Sequence, residues 1–263
     1  MKNNNNYKSE KFILLLITSK RLEKQMTRFI AILSGKGGVG KTTTTVNVGH
    51  ALAKQGYSTL LVDANLATPN IGVHLGLLNP SATLNHFLRK EKHIRDIIHS
   101  HESGVSFAPA SPSYAEFQKT NPKDMHKLFE HLDNTLDFVL IDCPSGFGPE
   151  LHAVLKHTDE ALIVANPTTS SVMEALKSLE IAKSHNNIIP GIVLNKTHFF
   201  SKFQLSTPEV EDLLGLHVIG CIKNDKKIRK SHHLTTPVTS KYPRSKSAKE
   251  FSKIADTIAM KLK

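Results

Sequence analysis

The run Gly35-Lys36-Gly37-Gly38-Val39-Gly40-Lys41-Thr42-Thr43 follows, after Ser34, on the short apolar stretch "RFIAIL" at 28–33. Gly35 to Thr42 match G-x-x-x-x-G-K-[ST], a pattern with strict structural demands. Its glycines let the backbone wrap so closely that successive N–H groups converge on one phosphate, and the helix that follows adds its positive end. A strand must therefore precede the loop and a helix must follow it. Both are present: "RFIAIL" is β-branched and apolar, and 42–54 predicts a helix with Val46, Val48, Ala51 and Leu52 turned towards a sheet. In this reading Lys41 neutralises the β- and γ-phosphates, and the Thr42 hydroxyl meets Mg²⁺.

The rest of the chain alternates in the same way. Candidate strands are "STLLVD" (58–63), "GVSFAPA" (104–110), "LDFVLID" (136–142), "EALIVAN" (160–166), "IIPGIVLN" (188–195) and "HVIGCI" (217–222). Near-continuous apolar strands separated by helices predict an α/β fold, a three-layer, doubly wound, mostly parallel sheet of the P-loop NTPase kind. Ligands in such sheets bind at the carboxyl ends of the strands. Asp63, Asp142 and Asn195 fall at those ends beside the glycine loop, which predicts one shared site. A carboxylate closing the apolar strand "FVLID" is costly unless it serves a charge, so Asp142 is expected to hold Mg²⁺ or its water. The loop "LNKTH" (194–198) bears on the base. A guanine-reading N-K-x-D loop would place an aspartate where this chain has His198, so ATP is favoured over GTP.

Composition narrows the setting. The two cysteines, Cys143 and Cys221, are far apart and make no CxxC pair. This argues against a disulfide scaffold, a zinc ribbon or an intrachain cluster, and it fits a cytoplasmic protein. A net charge of +11 favours anionic partners without choosing among phosphate, acidic lipid and nucleic acid. Residues 1–26 carry an asparagine run, "FILLLITS" and "KRLEKQ", and read as a disordered or weakly helical extension before a single domain at 27–263; Met26 is a plausible alternative start. Eight apolar or small residues fall well short of the ~20 needed to span a bilayer.

The motifs together resemble the MinD/ParA family of deviant P-loop ATPases, which share a fold with the nitrogenase iron protein; the similarity is greatest to archaeal MinD-like proteins. It covers 27–263 and rests on "KGGVGKTT" (36–43), "LLVDANLATPN" (60–70), "FVLIDCPSGFG" (138–148), "ANPTTSSVMEALK" (165–177), "VLNK" (193–196) and "TPVTSKYPRSKSAKEF" (236–251). The resemblance implies that Lys36, the second lysine of the loop, reaches across a homodimer interface to phosphates bound by the other subunit. It also implies Asp63 as a catalytic and Mg²⁺-linked residue, Asn70 as a switch residue, and Asn195 near the nucleotide. Many relatives read D-x-D after the second strand. Here position 65 is Asn65, which can orient a water but cannot accept its proton. Slow turnover is therefore expected.

Three function classes follow. The first is an ATP-dependent dimerising switch for division-site selection or spatial positioning, working with an activator or cargo protein. The second is a ParA-like partition ATPase that contacts nucleic acid non-specifically. The third, a polysaccharide-type tyrosine kinase, wants an arginine after the aspartate loop and a terminal tyrosine cluster, where this chain has Ala67 and Tyr242. An iron–sulfur carrier of the same fold would need paired cysteines. Weak contact with a membrane surface or nucleic acid through the basic surface, and peripheral membrane association, are expected at most. The histidines of "HSH" (99–101) and "HH" (232–233) lack the spaced partners of a zinc site. In the final amphipathic helix (245–263), Ala248, Phe251, Ile254, Ala255, Ile258 and Leu262 share one face, which predicts core packing rather than a membrane contact.

Overall fold

The computed structural model describes residues 26–198 and 203–260. Residues 1–25 of the expected extension, and Leu262 of the terminal face, lie outside them. Eight strands form one sheet: β1 (Arg28–Leu33), β2 (Thr59–Asp63), β3 (His99–Ser100), β4 (Ser106–Ala108), β5 (Phe138–Asp142), β6 (Glu160–Ala165), β7 (Ile192–Thr197) and β8 (Val218–Lys223). Their spatial order is β3-β4-β2-β5-β1-β6-β7-β8, and only the β3–β4 pair is antiparallel. The glycine-loop strand β1 is flanked by β5 and β6, with chain crossovers on either side.

The α-helices are α1 (Lys41–Lys54), α2 (Ile71–His74), α3 (Leu84–Leu88), α4 (Tyr114–Lys119), α5 (His126–Leu132) and α6 (Pro149–Leu155). They continue as α7 (Thr169–Ser184), α8 (Thr207–Leu214), α9 (Lys226–His233), α10 (Val238–Lys241) and α11 (Lys246–Ala259). Side chains alternate across a strand, and β1 shows the consequence. Phe29, Ala31 and Leu33 join one core with Phe129, Val172 and Ala175. Ile30 and Ile32 join the other with Val46, Val48 and Leu52 of α1 and Phe251, Ile254 and Ile258 of α11. Three layers result, as the apolar strands predict. At Gly49 α1 lies close against the sheet: a Cβ there would stand 2.2 Å from Leu61 Cδ2.

The terminal helix packs as its pattern predicts. Ser245 caps α11 by accepting from the Ala248 N–H, and Ala248, Phe251, Ile254, Ala255 and Ile258 are all buried. No helix among the described residues is long and apolar enough to cross a membrane. Strand bounds differ from expectation in places, and one edge strand was not expected. Only Ser106–Ala108 of the 104–110 run pairs, because Pro109 has no N–H to offer. The strand expected from 188 begins at Ile192, after Pro190 and Gly191, and runs on to Thr197. "HSH" supplies β3, a two-residue edge strand, with His99 Nε2 3.1 Å from the Ala82 carbonyl.

Candidate functional site

The glycine loop leaves β1 at Leu33 and enters α1 at Lys41, with Gly40 as the N-terminal residue of the helix at φ 107°. That angle favours glycine, and space enforces the choice: a Cβ on Gly40 would lie 2.0 Å from Asn195 Nδ2. Gly35 is pinned from the opposite side, since its Cβ would fall 2.6 Å from Glu174 Cβ on α7. The loop's outer arc is braced from β7. Asn195 Nδ2 donates to the Val39 carbonyl and Lys196 Nζ donates to the Gly38 carbonyl, each at 2.7 Å. Asn195 therefore shapes the loop, and Lys196, which the sequence reading did not single out, does the same.

The two lysines of the loop have opposite fates. Lys41 is buried, and its ammonium donates to the Ser34 hydroxyl at 2.8 Å; that hydroxyl donates in turn to the Lys36 carbonyl at 2.8 Å. Burial pulls Lys41 below the ordinary lysine range, and the charge of Asp142 partly restores it. Lys36 is exposed, and its ammonium makes no hydrogen bond or ion pair among the described residues.

Beneath the loop, Asp63 and Asp142 end adjacent strands in direct register. Both are fully enclosed. Asp142 accepts from the Thr42 hydroxyl and, at 3.4 Å, from the Thr45 hydroxyl. Burial pushes its carboxyl up to about 6 against the pull of Thr42 and Lys41. Asp63 is pushed up to about 8 by burial and the neighbouring Asp142 charge, although three backbone N–H groups oppose this. Those donors are Asn65 at 3.2 Å, Asn70 at 2.7 Å and Ile71 at 2.9 Å. Asp63 thus uses both oxygens to hold the 65–71 loop, beside the position expected for Mg²⁺. Two buried carboxylates beside a threonine hydroxyl are an oxygen donor set that suits a hard divalent cation. Thr42, Asp63 and Asp142, the three residues expected at Mg²⁺, thus lie together beneath the loop.

Asn65 and Asn70 do reach the cavity, of about 570 Å³, that opens over the loop. Asn65 is not free to hold water in this arrangement. Its Nδ2 donates to the Thr68 carbonyl at 2.7 Å, and its Oδ1 accepts from the Thr68 N–H at 3.3 Å. Asn70 Nδ2 donates to the same carbonyl at 2.7 Å. Of the expected residues, Gly37, Gly38, Gly40, Lys41, Thr42, Thr43, Asn65, Asn70 and Asn195 line this cavity, whereas Gly35, Lys36, Val39, Asp63 and Asp142 do not. Three elements missed in the sequence complete it: the end of β8 with Asn224 and Asp225, α9 with Arg229 and His232, and His74 at the end of α2. The only signal for α9 was "HH", which was considered solely as a metal motif. Elsewhere His86, Glu91 and Glu116 cluster as cation ligands might, but Arg89 bonds both carboxylates and accounts for them.

Comparison with known proteins agrees with this fold. The family pattern that matches is ParA (NUBPL iron-transfer P-loop NTPase), over residues 25–259. An ATP-binding protein of Methanocaldococcus jannaschii is 34% identical over 226 residues, covering 86% of this chain and 85% of the relative. The cell division ATPase MinD of Pyrococcus furiosus superposes with a TM-score of 0.84 at 32% identity, covering 88% of this chain and 98% of that one. The septum site-determining protein MinD of Pyrococcus horikoshii, complexed with Mg-ADP, gives 0.85 at 30% identity, covering 89% and 97%.

Proposed function

This chain belongs to the ParA family of P-loop NTPases, with ATP and Mg²⁺ as its cofactors, and from that premise we propose that it is an ATP-dependent dimerising switch with slow ATPase activity. Its service would be to division-site selection or to the spatial positioning of a cellular complex, with an activator or cargo protein reading the switch. The observation that carries the reading is the divergence of the two loop lysines. Lys41 already occupies the phosphate wall from within. Lys36 stands in solvent at the loop's rim, where a second copy of the chain can meet it. A cation supplied in trans ties dimerisation to the γ-phosphate, as an arginine finger does. Bound Mg²⁺ would neutralise charge between the phosphates; Thr42 and Asp142 would hold it, and Asp63 would set the loop that carries Asn65 and Asn70.

Titration with ATP and GTP in Mg²⁺ tests the nucleotide assignment. ATP is expected to bind much more tightly, because His198 offers no carboxylate to the guanine edge; equal affinities would sink the adenine reading. The low turnover traces to Asn65. Asn65→Asp is expected to raise the ATPase rate by about tenfold or more, towards the factor a positioned acid–base group contributes. The same change removes one of two amide donors to the Thr68 carbonyl, Asn70 keeping the other, so stability should fall by about 0.5–1.5 kcal/mol. An unchanged or lower rate would mean that Asn65 is already the working residue or that the water is placed elsewhere.

A second reading, partition through non-specific nucleic-acid contact, is favoured by where the charge lies. Between residues 223 and 253 ten lysines and arginines accompany two acids, Asp225 and Glu250, so one segment holds most of the excess of +11. Such a stripe attracts polyanions by counterion release. Offering the chain, with a non-hydrolysable ATP analogue, to duplex DNA and to anionic vesicles at graded salt separates this reading from the first.

A further inference from the structure

One wall of the cavity has no part in the phosphate chemistry described above. His74, the last residue of α2, and His232, on α9, stack with ring centroids 4.4 Å apart and planes tilted by 37°. Both rings line the cavity. His232 Nε2 stands 3.4 Å from the hydroxyl of Thr43, inside the phosphate-binding segment. The pair therefore joins three elements: α1 with the glycine loop, α2 at the end of the loop that Asp63 holds, and α9 on the far wall.

The charges around these rings are mostly positive. His233 and Arg229 come from the same helix as His232, Lys223 and Asp225 from the end of β8, and Lys41 from α1. Asp225 is already engaged, accepting from the Lys227 N–H at 2.8 Å and the Ser247 hydroxyl at 2.7 Å. Burial and the neighbouring rings keep both imidazoles neutral: His74 is held down to about 4, and His232 sits below the ordinary histidine range. Each then offers at most one N–H and keeps one lone pair. A polyphosphate reverses the sign of the field in this cavity. Its bulk also removes water from the rings, which opposes protonation. Coulomb attraction between close opposite charges in a water-poor site outweighs that loss.

We infer that the His74–His232 pair takes up a proton when a nucleotide polyphosphate fills the cavity, so that nucleotide binding by this chain is proton-coupled and tightens as pH falls through the midpoints of the loaded state. The inference rests on the reading of the cavity as the ATP site. A protonated His232 donates from both ring nitrogens, one towards Thr43 and one free for the ligand. Mildly acidic conditions would then favour the loaded state.

The test is a proton NMR titration of the histidine ring signals between pH 4 and 8, with and without saturating Mg-ADP. Signals are assigned by their loss in His74→Gln and His232→Gln. Without nucleotide both midpoints should lie below the ordinary histidine range, that of His74 at about 4. With Mg-ADP at least one midpoint should rise by a unit or more, a tenfold gain in proton affinity. Unchanged midpoints in the presence of bound Mg-ADP would overturn the inference. So would a wild-type pH dependence of Mg-ADP affinity in the double variant. Should Mg-ADP move no signal anywhere in the spectrum, the ATP site itself fails, which is a different result.

Discussion

Replacing Lys41 by alanine is expected to weaken ATP and ADP binding by roughly a hundredfold or more. The ammonium is already mostly buried and fixed on the Ser34 hydroxyl, so much of its desolvation is in place before a ligand arrives. Contact with phosphate then realises nearly the full strength of charge-assisted hydrogen bonds, about 1.5–3 kcal/mol each, and two oxygens are within the reach of one ammonium. Removal also leaves Asp142 without the cation that offsets its burial. Calorimetric titration reads the loss. Lys41→Met keeps the aliphatic stem and is the control for folding, judged by thermal melting. Binding within about fivefold of wild type in a folded variant would show that this loop is not the phosphate site.

The second large effect lies outside the single chain. Lys36→Ala is expected to bind ATP nearly as wild type does and yet to remain monomeric. Its backbone carbonyl, which the substitution retains, accepts from Ser34; its side chain does nothing for the loop. In a symmetric dimer each side loses one charge-assisted contact, at about 1.5–3 kcal/mol per hydrogen bond. The two losses together amount to about a hundredfold or more in dimer affinity. Light scattering with a non-hydrolysable ATP analogue reads it. If Lys36→Ala dimerises as tightly as wild type, Lys36 is only a solvent-facing loop residue.

What could be read in the sequence was what a short pattern dictates locally. The glycine loop, its strand and its helix follow from the steric demands of "GKGGVGKT", and the parallel sheet follows from continuous apolar strands. The convergence of Asp63, Asp142 and the loop followed from strand ends alone. What a carboxylate does with its lone pairs was not legible, because the partners of Asp63 are backbone N–H groups of a loop with no pattern to announce them. Asn65 shows the same limit: Thr68 decides how its amide is used, and that pairing appears only in the folded loop. The far wall was missed for another reason. His74 and His232 are 158 positions apart, and neither carries a signature until α2 and α9 pack against α1. Edge strand β3 is two residues long, too short for any alternation to show.

The claim on which the account depends is that ATP makes two of these chains one. Static light scattering on the wild-type chain in Mg²⁺ measures it, with a non-hydrolysable ATP analogue in one sample and ADP in the other. The account predicts twice the chain mass of 29.1 kDa with the analogue and the single-chain mass with ADP. The same mass in both samples, at concentrations where calorimetry shows both nucleotides bound, would contradict it.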